Sequence, residues 1–153
     1  MKKLFVLAIA AVMAVAAVSA GSSNMAFSRA SVKAGYNFDA KAFQVGGDLN
    51  LGTLGYNLYV VPQLEIIFAE GVTPVALDAS LQYYLPTHGT IRPYIGGGPG
   101  IMFGGGSTDF KLHVIGGLDF NIINSRMTFF TECKVRFIEG SDFGIMAGLS
   151  FKL

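Results

Sequence analysis

The chain has 153 residues, of which 14% are charged and 52% hydrophobic, with a formal net charge of +1. That length supplies a single domain, and a near-neutral charge without a basic cluster excludes nucleic acid as a partner. Hydrophobic content is high for a water-soluble domain, yet after the first twenty residues no apolar run is long enough for a transmembrane helix, so the excess is dispersed along the chain.

Residues 1–20 read as a secretory signal peptide. Lys2 and Lys3 precede the apolar stretch from Leu4 to Val18, and Val18-Ser19-Ala20 supplies the small residues of a cleavage site before Gly21. The stretch is short and Ala-rich for a membrane anchor, and no cysteine stands at the cut, so a lipoprotein signal is not expected. Residues 21–28 form a small-residue leader. The single cysteine, Cys133, cannot form an internal disulfide and reads as a small apolar side chain.

From residue 29 onward the dominant signal is strict alternation, the mark of strands with two different faces. Eight runs follow one another: 29–38, 41–51, 56–68, 74–85, 91–102, 110–123, 126–138 and 142–153. In the third, Tyr56, Leu58, Val60, Pro62, Leu64, Ile66 and Phe68 share one face, and Asn57, Tyr59, Val61, Gln63 and Glu65 the other. In the sixth, Phe110, Leu112, Val114, Leu118, Phe120 and Ile122 oppose Lys111, His113, Asp119 and Asn121. Charges sharpen the pattern. Arg29, Lys33, Asp48, Glu65, Asp78, Arg92, Lys111, Asp119, Glu132, Lys134, Arg136 and Lys152 all fall on the polar parity; only Lys41, at a strand end, does not.

Alternation alone is also compatible with a soluble barrel whose apolar face points inward. The aromatic residues favour the opposite arrangement. On the apolar face Tyr36, Phe38, Phe43, Phe68, Phe103, Phe110, Phe137 and Phe143 lie toward one rim, and Tyr56, Tyr83, Phe120, Phe129 and Phe151 toward the other. Two aromatic belts around an aliphatic band match the two interfaces of a bilayer, and the strand lengths suit tilted spans across it. The expectation is an all-β, eight-stranded antiparallel up-and-down transmembrane β-barrel over residues 29–153. With an even strand count, both termini face the periplasm.

Periplasmic turns are then expected at Gly52-Thr53-Leu54-Gly55, Thr87-His88-Gly89-Thr90 and Asn124-Ser125. Outer loops are expected near Asp39-Ala40, Glu70 to Thr73, Gly104 to Asp109, and Glu139-Gly140-Ser141, all short. The fifth run is irregular: Ile95-Gly96-Gly97-Gly98-Pro99-Gly100 is poor in strand formers, and Pro93 and Pro99 lack ladder donors, so a bulge or sharp bend, or a partial loop, is expected there.

Pro93 to Gly100, with its Pro-Tyr pair and run of glycines, resembles a segment of the small outer-membrane β-barrels of the OmpA and OmpX type. Leu81-Gln82-Tyr83-Tyr84-Leu85-Pro86 resembles the strand before it, Glu132-Cys133-Lys134-Val135-Arg136-Phe137 the seventh strand, and Phe143 to Leu153 the assembly signal at that family's end. One departure is that the family typically ends in Phe, whereas here Leu153 is last and Phe151 stands two earlier. The resemblance spans the chain after the leader and implies an outer-membrane location in a Gram-negative-type bacterium. It also implies outer-membrane lipids and the export and barrel-assembly machinery as partners, and a monomer. No peptidoglycan-binding segment follows the barrel pattern, so a cell-wall tether is not expected.

An eight-stranded barrel is just wide enough for its side chains to fill the interior. The expected lumen network comprises Lys33, Asp48, Glu65, Asp78, Lys111, Asp119, Glu132, Lys134 and Arg136. It serves either as an ion path or, the favoured reading, as a salt-bridged plug. His113 is the only strand histidine, and Ser80, Asp78 and Glu132 are the residues that could complete a hydrolytic set with it. But His113 takes the lumen parity, away from lipid substrates, and neither a His-x-Ser pattern nor a Gly-x-Ser-x-Gly elbow occurs. His88 sits in a turn. No cluster has metal-ligand spacing, and no cofactor or catalytic residue is expected. Two functions stay open: a structural or adhesion-type envelope barrel, and a narrow passive channel for small solutes.

Overall fold

The computed structural model describes residues 28–122, 125–138 and 140–153. The expected signal peptide (1–20), the expected leader up to residue 27, Asn124 of one expected turn and Glu139 of one expected loop lie outside them.

Nine strands form one sheet: β1 (Arg29–Asn37), β2 (Ala42–Asn50), β3 (Thr53–Gly55), β4 (Leu58–Phe68), β5 (Val75–Tyr84), β6 (Ile91–Gly104), β7 (Ser107–Asn121), β8 (Met127–Ile138) and β9 (Gly140–Lys152). Successive strands pair antiparallel, except that β2 and β3 do not pair with each other but both pair with β4, and β1 also pairs with β9 from Arg29↔Lys152 to Asn37↔Gly144, which closes the sheet. β2 and β3 are one stave interrupted by an irregularity, since both lie against β4. The fold is therefore an eight-stranded antiparallel up-and-down barrel.

The interruption falls at Leu51-Gly52. Gly52 takes φ 105°, and its N–H donates to Asn50 Oδ1 at 3.0 Å. Pairing then resumes with Thr53↔Tyr59 and Gly55↔Leu58. This corrects two expectations. Thr53 to Gly55 is strand rather than turn, and Tyr56-Asn57 is the turn rather than the start of a strand. Both turn residues have positive φ, 46° and 64°, as a two-residue hairpin of the primed type requires. Asparagine tolerates that region; tyrosine rarely occupies it.

The fifth run also differs from expectation. β6 is continuous through Pro93 and Pro99, and its register against β7 is constant from Ile91↔Phe120 to Gly104↔Ser107. The irregularity is confined to the β5 side, where no pairing joins Ala79 and Ser80 to Pro99 and Gly98. Pro99 offers no N–H there, and a Cβ at Gly98 would run into the Ala79 carbonyl oxygen, so glycine permits the close approach. At the far rim, Gly105 and Gly106 (φ 59° and 84°) turn the chain in two residues, a shorter connection than the expected Gly104 to Asp109.

The two faces settle which side of the alternation is inside. Lys33, Gln44, Glu65, Asp78, Lys111, Glu132, Lys134 and Arg136 are buried, while Val32, Leu64, Leu81, Ile95, Leu112, Val114 and Ile145 are exposed on the outside. A soluble barrel has the reverse arrangement.

Candidate functional site: a charge-filled lumen and its mouth

Alternate residues of a strand share a face, so short polar runs place charges in pairs on the inner wall. β4 contributes Gln63 and Glu65, β5 Asp78 and Ser80, β7 Lys111 and His113, and β8 Glu132, Lys134 and Arg136. Register brings them level: Gln63 lies opposite Asp78, and His113 opposite Arg136.

Glu65 is the hub. Its carboxylate accepts from Lys134 Nζ at 2.5 Å, lies 3.2 Å from Lys33 Nζ and is held closely by Arg136. Lys134 also donates to Asp78 at 3.1 Å and to Gln63. Lys33 reaches Glu132 at 3.0 Å and Asp48 at 3.7 Å, and Arg136 reaches Asp142 at 3.1 Å. Lys111 Nζ stands 3.0 Å from Asp78 Oδ1, at ion-pair distance but without the alignment of a hydrogen bond. Lys33, Asp48, Glu65, Asp78, Lys111, Glu132, Lys134 and Arg136 thus form one connected network; Asp119 stands apart, paired with Arg29 at 2.6 Å. Glu65, Lys134 and Arg136 are at 0% exposure, so mid-lumen is filled by side chains. Opposed charges at these distances satisfy each other where water does not reach.

Several members carry no strong signal in the sequence. Asp142 sits beside an expected loop yet turns inward to Arg136. Tyr94 donates to Glu132 at 3.0 Å, occupying room left by Gly117, where a Cβ would meet its ring. Tyr84 packs on Tyr94, ring centroids 5.1 Å apart, and accepts from Arg29. Tyrosines on a polar parity are readable only as ambiguous; the ion pairs they join depend on partners far apart in the chain.

Of the possible hydrolytic set, Ser80 and His113 meet: Oγ and Nε2 are 2.6 Å apart. Asp78 Oδ1 is 4.0 Å from His113 Nδ1, too far for a hydrogen bond, and Glu132 belongs to the Lys33–Tyr94 group instead. Ser80 and His113 are 1% and 2% exposed, so no substrate carbonyl reaches either in this arrangement. His88 is exposed in its turn.

The outer surface carries the aromatic residues. Tyr36 pairs with Phe43 and Phe43 with Phe68 at the rim opposite the termini, where Phe110, Phe137 and Phe143 are also exposed. At the other rim Phe120 and Phe129 pair with ring centroids 5.8 Å apart, and Tyr83, Phe129 and Phe151 are exposed. Tyr56, at the turn, is 98% exposed beyond that rim.

The lumen opens at the terminus-bearing end into a cavity of about 510 Å³ lined by Arg29, Asn50, Tyr84, Arg92, Asn121 and Lys152, among others. Arg29 and Arg92 lie over the Tyr84 ring at 5.6 and 4.8 Å from its centroid.

No protein-family model matches the sequence, and no curated protein matches it. Solved structures do. The N-terminal β-barrel domain of Pseudomonas aeruginosa OprF aligns with TM-score 0.67 at 15% identity, covering 83% of this chain and 98% of that domain. Neisserial surface protein A aligns with TM-score 0.64 at 15% identity, over 82% of this chain and 94% of that one. The outer membrane enzyme PagL aligns with TM-score 0.52 at 13% identity, over 82% and 98%. At these identities the likeness is one of fold: this chain has the fold of small outer-membrane β-barrels.

Proposed function

We propose that this protein is an integral outer-membrane barrel whose lumen is closed by ion-paired side chains, and that it serves the envelope as a structural element rather than as a conduit or an enzyme. The observation that carries the reading is the inverted barrel: an interior of Lys, Arg, Asp and Glu at almost no exposure, inside a wall of exposed Leu, Val, Ile and Phe. Water penalises that exterior and hydrocarbon does not. The exposed rings near both rims fit the two interfaces of a bilayer, where amphipathic and aromatic side chains concentrate. Export across the inner membrane by the signal peptide, insertion by the barrel-assembly machinery and a monomeric state belong to the same reading.

Closure rests on the Glu65 hub. Three cations converge on one carboxylate at mid-height, and an ion crossing there must displace at least one pair in a low-dielectric setting. Connections at the rim opposite the termini are short, so little loop surface is available for adhesion, which favours the structural role. The Ser80–His113 contact is read as a satisfied buried pair, since Asp78 is out of hydrogen-bond reach and both residues are shut from lipid and solvent.

A narrow passive channel is the second reading, favoured by the open mouth and polar lining. Planar-bilayer conductance of the purified protein separates the two. The plug predicts little or no conductance in the wild type and its appearance on replacing Glu132 or Lys134; a large, steady wild-type conductance establishes the channel instead.

A further inference from the structure

We infer that the mouth at the terminus-bearing end is a binding site for a phosphate-type oxyanion, with Arg92 and Lys152 as its charged ligands. Arg29 does not serve this way, because its guanidinium is already committed to Asp119 and to the Tyr84 hydroxyl. Arg92 is different. Its guanidinium is held over the Tyr84 ring at 4.8 Å, and among the described residues it has no ion-pair partner and no acceptor for its N–H groups. An arginine oriented by a ring, with its donors unspent on the wall of a cavity, is prepared for a planar or tetrahedral oxyanion. Lys152 faces the same cavity and likewise has no ion-pair partner among the described residues. Strand register sets it directly opposite Arg29.

The neutral groups of the cavity point the same way. Asn50 Oδ1 accepts from Gly52 N at 3.0 Å and from Ser28 Oγ at 2.9 Å; the backbone donor fixes which amide atom is the oxygen. Its amide nitrogen is left without an acceptor among the described residues. Asn121 Oδ1 is likewise used by Thr128 Oγ1 at 3.1 Å. Side-chain acceptors are thus spent on one another, while amide and cationic donors remain. Asp119 stands directly across from Arg92 in the β6–β7 register, but it is 1% exposed, bound to Arg29 at 2.6 Å and absent from the cavity lining, so no side-chain carboxylate lines the cavity, though the last residue, Leu153, does. A cavity of about 510 Å³ takes an inorganic phosphate with its water, a small organic phosphate or a lipid headgroup. The opposite rim has the reverse character, with Asp39 and Glu70 on its turns and Asp109 near the start of β7 against Lys41.

Titration of the full barrel in phosphatidylcholine nanodiscs with inorganic phosphate at constant ionic strength, followed by backbone amide shifts, tests this. Saturable shifts at Asn50, Arg92, Asn121 and Lys152 are expected. Each of Arg92→Gln and Lys152→Gln should weaken binding about tenfold or more, the loss typical of a hydrogen bond to a charged group. Lys41→Gln, which removes the same charge at the far rim, should leave binding unchanged, and unheated gel migration checks that each variant folds. Repeating the titration with phosphatidylglycerol in the disc separates the sources. Undiminished phosphate binding assigns the site to a free solute, and shifts present before phosphate is added, absent from either variant, assign it to the headgroup. Absence of saturable shifts in both discs, or equal binding by wild type and both variants, overturns the proposal.

Discussion

Replacing Glu65 by glutamine takes one negative charge from beneath three cations while keeping the side chain's length. Lys134 Nζ lies 2.5 Å from the carboxylate and Lys33 Nζ 3.2 Å, and the Arg136 guanidinium pairs with it as well. Each cation keeps another carboxylate: Asp78 for Lys134 at 3.1 Å, Glu132 for Lys33 at 3.0 Å, Asp142 for Arg136 at 3.1 Å. A charge pair about 4 Å apart is worth roughly 1 kcal/mol in bulk water and about 4 kcal/mol at an effective dielectric of about 20. Removing one member of a buried pair costs about 3–5 kcal/mol, because the other charge is left without compensation. With three cations affected but none stranded, Glu65→Gln should fall at the lower end of that range, about 3 kcal/mol. Because the chain contains no tryptophan, folding in phosphatidylcholine vesicles is best followed by urea titration with gel migration of unheated samples. The double variant Glu65→Gln/Lys134→Met should cost less than the sum of the singles, since the second change removes a cation that the first had deprived. A loss below about 1 kcal/mol, the value expected in water, refutes a dry, ion-paired lumen.

Other outcomes follow from the outer wall and the turns. Leu64→Arg, at mid-strand on the exposed face, should cost about 2–4 kcal/mol of folding into vesicles, and Leu49→Arg, level with the rim residue Phe151, about 0–1 kcal/mol; equal and negligible costs would place the wall in water. Gly98→Ala should destabilise, because its Cβ meets the Ala79 carbonyl oxygen, whereas Gly116→Ala, with nothing near the new carbon, should be almost silent; comparable urea midpoints for the two would contradict the β5–β6 approach. Tyr56→Asn should stabilise the hairpin by about 0.5–1 kcal/mol by relieving a left-handed tyrosine, unless the exposed ring anchors that rim in the interface, in which case partitioning into vesicles weakens.

Most of the fold is legible in the period-two pattern because a barrel with two unlike faces writes each strand's parity directly into its side chains. The run from Leu58 to Phe68 and that from Phe110 to Asn121 are clear for this reason. The pattern fails where side chains stop reporting parity. From Gly96 to Gly100 the glycines carry no side chain to alternate, so a regular strand looks broken. At Tyr56 an apolar residue of the right parity prolongs the strand on paper, while the irregularity at Leu51-Gly52 has already shifted where the chain must turn. In the lumen, parity identifies which charges face inward, but the Glu65 hub depends on closure of the barrel, which joins residues such as Lys33 and Glu132 across 99 positions of sequence, while the Arg136–Asp142 pair and the Tyr84–Arg92 contact depend on the register of the β8–β9 and β5–β6 hairpins.

The native Cys133 offers the most direct test of the membrane reading, because it is the chain's only cysteine and lies exposed on the outer face. On β8 it stands midway between Phe129 and Phe137, which mark the two rims, and it pairs with Gly116 and Ile145. A nitroxide attached there, in the wild-type protein in vesicles, should be readily relaxed by oxygen and poorly by a water-soluble nickel chelate, with a depth near the bilayer centre. Ready relaxation by the nickel chelate would put the apolar wall in water and contradict the membrane-spanning barrel.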